Sequence, residues 1–107
     1  MEPVRIDAVS HDIAVVDSPQ SARYEIHLDG ERAGFVTYRL TPGVITFLHA
    51  EVPARLEGRG LGTRLVRDTL DDARSRGLVV RPLCPFVADF IERHREYADL
   101  VEPTPTA

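Results

Sequence analysis

The 107-residue chain has a single cysteine, Cys84. That excludes an internal disulfide and any zinc site built from several thiolates. No apolar run approaches the ~18 residues that a membrane helix needs, so no membrane partner is expected. Met1-Glu2-Pro3-Val4-Arg5 is not a basic segment leading into an apolar stretch. No secretory leader is visible, and a cytoplasmic setting is expected. Positive charge is not in excess either: thirteen basic against seventeen acidic residues leave a net charge of −4. A general nucleic-acid binder, which needs a basic footprint, is disfavoured. His11, His27 and His94 show no metal-site spacing, and no metal is expected. Internal repeats are absent, and no linker interrupts the middle of the chain.

What remains is the composition of an ordinary globular domain, 43% hydrophobic and 28% charged. A chain of this length makes one domain, burying roughly 65% of its unfolded surface. Weak patterning over residues 1–12 and the proline-containing stretch 102–107 predict flexible ends around a single domain spanning 13–101.

The first half reads as strands. Ile13-Ala-Val-Val16 is a short apolar run closed by the turn cluster Asp17-Ser-Pro19. Tyr24, Ile26 and Leu28 alternate with polar Glu25, His27 and Asp29, the period of a half-buried strand. Asp29-Gly30 is a hairpin signal. A strand over about 33–40 ends at Pro42-Gly43, and a third long strand follows over 44–52. Together they form an antiparallel meander.

Residues 61–76 change to a helical period. Leu61, Leu65, Val66, Thr69, Leu70 and Ala73 share one face, with Arg64, Arg67, Asp68, Asp71, Asp72 and Arg74 opposite. Arg64/Asp68 and Arg67/Asp71 are spaced for ion pairs. Gly77 stops the helix, residues 78–81 form a short strand, and a second helix starts near Cys84-Pro85, carrying Phe86, Val87, Phe90 and Ile91. The strand–helix–strand unit makes the strands at 44–53 and 78–81 parallel through a right-handed crossover. Ligand sites in such sheets form beyond the carboxyl ends of the strands. Glu51-Val-Pro53, the turn Glu57-Gly58-Arg59-Gly60-Leu61-Gly62 and Leu83-Cys84-Pro85 all fall there.

Glycines in that turn admit close approach of a ligand to the backbone, and the following helix start suits a phosphate. Equally, they can serve only a tight turn and close helix–sheet packing. The spacing is neither a dinucleotide fingerprint nor a P-loop.

Val52-Pro53 followed by Glu57-Gly-Arg-Gly-Leu-Gly62 and an amphipathic helix resembles motif A of the GNAT acyltransferases. Pro82-Leu-Cys-Pro-Phe86, Ile91-Glu-Arg-His94 and Glu96-Tyr-Ala-Asp-Leu100 are similar to the small single-domain branch of that superfamily. The resemblance covers about 13–101. It implies an α/β (α+β) fold, a mainly antiparallel sheet with a β-α-β unit that binds acyl-CoA. It also implies that Val52, Glu57, Gly58, Arg59, Gly60, Leu61, Gly62 and Thr63 hold acetyl-CoA, chiefly through backbone amides. Glu57 departs from the motif, which has Gln or Arg there, and its carboxylate must turn away from a pyrophosphate.

Strand periodicity puts Ile45, Phe47, His49 and Glu51 on one face. Acyl transfer to an amine needs a base, since only the neutral amine attacks a thioester. Imidazole is the better candidate, with Glu51 as alternative base or orienting partner, although both can simply be solvated. Cys84 precedes a helix start, a place that favours the reactive thiolate; alternatively it is a small buried core residue. In the small branch, a cysteine and a histidine on the preceding long strand are the active-site pair, which implies Cys84 and His49 here. Tyr38 and Tyr97 are read as core or rim residues rather than proton donors. The expected function is acetyl transfer from acetyl-CoA to an amine: a protein side chain, a terminus or a small amine. The rivals are a CoA-binding module without useful catalysis and an interaction domain using a sheet edge.

Overall fold

Alternating burial along the first strands builds the sheet, seen in a computed structural model that describes residues 12–53 and 60–101. The expected flexible ends lie almost wholly outside the described residues. In β2 (Arg23–Leu28), Tyr24 and Ile26 are buried while Arg23, Glu25 and His27 are less so. β1 (Ile13–Ser18), which leads into a 3-10 turn at Pro19–Ser21, pairs antiparallel with β2. The Asp29–Gly30 turn, with φ of 52° and 87°, then connects β2 to β3 (Glu31–Thr41). Positive φ at both central residues matches the right-handed twist of the flanking strands. β4 (Val44–Glu51) continues the antiparallel meander, and β5 (Val79–Pro82) joins β4 in parallel, giving the order β1-β2-β3-β4-β5. The observed sheet has the mainly antiparallel α/β form expected from the sequence.

Helix α1 (Leu61–Ser75) makes the crossover between β4 and β5 and buries the six expected residues, Leu61 to Ala73. Arg64 pairs with Asp68 at 2.7 Å, whereas Asp71 accepts instead from the Tyr97 hydroxyl at 2.8 Å. Helix α2 (Pro85–Arg93) contributes Val87, Phe90 and Ile91 to the same core. Phe86 departs from the expected apolar face: it is exposed.

Three tyrosine hydroxyls tie separate elements together by donating to aspartates. Tyr24 on β2 donates to Asp72 on α1 and accepts from Arg76 at 3.1 Å. Tyr38 on β3 donates to Asp17 on β1 at 2.6 Å. Tyr97, in the 3-10 segment Arg95–Leu100, donates to Asp71, and Arg74 grips Asp99 with two bonds of 2.9 and 3.0 Å. These are structural uses of Tyr38 and Tyr97. Burial, reinforced by the hydrogen bond to a carboxylate, pushes both phenols from 10.0 up to about 12, and the same causes raise Tyr24.

Because these phenols bind their protons more tightly folded than unfolded, the stability they contribute is present below pH 10 and lost as pH climbs towards 12. Urea denaturation should show that decline. At neutral pH, Tyr24→Phe should cost about 1–2 kcal/mol by removing the bond to Asp72. An unchanged midpoint would show that this bond contributes nothing.

Candidate functional site

β4 and β5 pair over only four positions, from Val44 opposite Val79 to Phe47 opposite Pro82. The Cys84 amide then donates to the Phe47 carbonyl at 2.9 Å, and the chain turns into α2. β4 runs on to Glu51 without a β5 partner. The strands therefore part beyond Phe47, leaving one backbone edge of β4 facing a gap. An extended ligand can use such an edge as an added strand would.

The same stretch of β4 contains a bulge. Tyr38 pairs with Phe47 and Thr37 with His49, so Leu48 has no partner on β3. One extra residue reverses the alternation beyond it. Ile45 and Phe47 point into the core, whereas His49 shares the opposite face with Thr37, and Glu51 shares it with Phe35. This corrects the sequence expectation that all four β4 residues share one face. There His49 Nε2 lies 2.9 Å from Glu51 Oε2, and the side chains are 59% and 62% exposed. An ionised carboxylate can only accept, so in the neutral imidazole this contact places the proton on Nε2 and leaves the lone pair on Nδ1.

Gly60, at φ 78°, caps α1 in the left-handed region that glycine adopts without strain, and a Cβ there would meet open space. Gly62 serves close approach: a Cβ would lie 2.8 Å from Cζ of Phe86. The start of α2 thus lies against the start of α1. Among the described residues no side chain caps α1, and its first turn has no acidic residue. The first intrahelical bond runs from Arg64 N to Gly60 O at 3.0 Å, so the amides of Leu61, Gly62 and Thr63 have no helical carbonyl behind them. With the positive end of the helix dipole, they suit a phosphate.

Three exposed apolar side chains border the gap: Leu48 at the bulge, and Leu83 (66% exposed) and Phe86 on either side of Cys84. A sequence reading does not separate them from core residues. Their signal is their position where the two parallel strands end.

Of the remaining sequence candidates, Val52 is half-buried against the core, Leu61 is buried and Thr63 is exposed. Glu57, Gly58 and Arg59 lie outside the described residues. Cys84 is 2% exposed, packed within the core at the N-cap of α2, and its thiol makes no capping bond. The structure therefore joins His49 to Glu51 by a hydrogen bond and ties Cys84 to β4 through its backbone amide on the Phe47 carbonyl. Among the described residues no group of three or more His, Cys, Asp or Glu could hold a metal ion, and no helix is long and apolar enough to cross a membrane.

The family model for GCN5-related N-acetyltransferases matches residues 23–100. No curated protein matches the chain. Among solved structures, the NMR structure of a GCN5-like protein from Staphylococcus aureus, proposed to be an N-acetyltransferase, aligns with a TM-score of 0.66 at 22% identity. That alignment covers 86% of this chain and 90% of the other. A ribosomal-protein-alanine N-acetyltransferase from Brucella melitensis biovar Abortus 2308 aligns with a TM-score of 0.50 at 18% identity, over 79% of this chain and 65% of its own.

The burial of Cys84 gives a chemical test. Iodoacetamide should label it only as fast as the protein opens, so that labelling in native buffer is far slower than in urea. Rapid labelling of the folded protein would place the thiol in the gap rather than in the core.

Proposed function

Because this chain belongs to the GCN5-related N-acetyltransferases, we propose that it moves an acetyl group from acetyl-CoA to an amine by direct transfer. The observation that carries the reading is the parting of β4 and β5 after Phe47, with the start of α1 capped by no side chain among the described residues. The amides of Leu61, Gly62 and Thr63 receive the pyrophosphate, together with Glu57, Gly58 and Arg59, which precede them in the sequence. The pantetheine arm follows the free edge of β4, bordered by Leu48, Leu83 and Phe86. The thioester then ends near the bulge, where backbone N–H groups stabilise the oxyanion.

His49 acts as the base. Glu51 holds its Nε2–H, which orients the ring and stabilises the imidazolium, and Nδ1 takes a proton from the acceptor ammonium. The neutral amine adds to the thioester carbonyl, the C–S bond breaks and CoA leaves as its thiolate. The thiolate takes up the second proton, which the nitrogen sheds as it becomes an amide, and the proton on Nδ1 passes to water. Cys84 has a packing role, since a thiol in the core cannot meet the thioester without local opening.

The chain contains no lysine, so acetyl gained by the protein itself is restricted to few sites. Incubation with acetyl-CoA alone should leave Cys84 unmodified by intact-mass and peptide analysis. With a panel of amines, His49→Ala should lower kcat/KM by roughly 100-fold or more, while acetyl-CoA affinity by calorimetry stays near wild type. Full activity in His49→Ala would remove the imidazole from the reaction. Tight acetyl-CoA binding by the wild type with no transfer to any amine would favour a CoA-binding module instead.

A further inference from the structure

On the face of the sheet that carries His49 and Glu51, the cross-strand register lines up two rows of side chains. Glu25, Phe35 and Glu51 lie opposite one another on β2, β3 and β4, and Arg23, Thr37 and His49 form the next row. Phe35 is at the centre of this block. Its ring centroid is 6.2 Å from that of His49, tilted by 59°, within the range of favourable aromatic contacts. On the ring, 5.1 Å from its centroid, lies the Arg23 guanidinium.

Arg23 is fixed in turn. Its Nε is 2.7 Å from Glu25 Oε2, and Glu25 also bonds His27 Nε2 at 2.9 Å. These bonds to His27 and Arg23 hold the Glu25 carboxyl below its ordinary range, so it remains ionised and keeps its grip on the guanidinium. Thr37 steadies the strand under His49, its hydroxyl donating to the His49 carbonyl at 3.3 Å.

The two members of the pair are largely exposed. An exposed imidazole on a flat strand has little to hold its rotamer. Its single polar bond to an equally mobile carboxylate is worth little alone in water. Phe35 is half-buried, lies directly across from Glu51 and is diagonal to His49, so its ring is a fixed surface beside both.

We propose that Phe35, propped by Arg23 and Glu25, is a positioning residue that keeps the His49 ring against Glu51, with Nε2 protonated and Nδ1 free. The inference rests on His49 being the base, but the ring position is measurable without turnover. Long-range nitrogen–proton NMR of the His49 imidazole, above its titration, reads the tautomer directly. Wild type and Phe35→Tyr should show the Nε2–H form, and Phe35→Leu a mixture of both tautomers. In Phe35→Leu, kcat should fall roughly 2- to 10-fold, the scale of one aromatic contact, with KM for acetyl-CoA unchanged. Phe35→Tyr, keeping the ring, should restore both readouts. Where Phe35→Leu does not fold by circular dichroism, Phe35→Ile, whose β-branched side chain suits a strand, carries the same test. An unchanged tautomer in a folded Phe35 variant overturns the proposal. A shifted tautomer with unchanged kcat upholds the positioning and overturns the base assignment of His49.

Discussion

The parallel contact between β4 and β5 is short, and its end is fixed by the Cys84 amide on the Phe47 carbonyl. The proposed acyl-donor site depends on where that contact stops. Had the pairing continued, β4 would be an interior strand to Glu51 with its backbone consumed on both sides. Pro82 closes β5 where the ladder can no longer use its missing N–H, and Pro85 begins α2 two residues past Leu83. The gap thus originates in two prolines and one hydrogen bond. The remaining core, from Tyr24 across to Val80, keeps the flanking strands in place around it.

The bulge at Leu48 gives β4 two different jobs. Before it, Ile45 and Phe47 anchor the strand in the core; beyond it, His49 and Glu51 are turned to the other face and Ala50 packs inward. Such a reversal without a bulge would need a twist that the flanking ladder forbids. It separates the titratable pair from the thiol of Cys84, which stays among core side chains. The His49–Glu51 pair and the cysteine therefore fall in different environments, although the Cys84 amide bonds the carbonyl of Phe47, two residues before His49.

Much of this fold was legible in the residues. The alternation around Tyr24 and Ile26, the Asp29-Gly30 turn, the six-residue apolar stripe of α1 and the proline at the start of α2 each have a local physical cause. Observed boundaries differ by a residue or two, as at β5, which starts at Val79. Periodicity could not reveal the bulge, because Ile45, Phe47, His49 and Glu51 keep a period of two through it. Nor does composition separate the exposed Phe86 from the buried Phe90, four residues apart; the Phe86 ring lies outside the core, against Gly62 at the start of α1. The burial of Cys84 follows from tertiary packing, against the local signal of a helix N-terminus.

Amide chemical-shift mapping with acetyl-CoA tests most directly whether the parting of β4 and β5 receives the acyl donor. Shifts should concentrate at 48–52, 60–63 and 83–86, with the edge strand β1 and the 95–100 segment nearly unchanged. Shifts centred on β1 and β2, or none under a large excess of acetyl-CoA, would contradict the account.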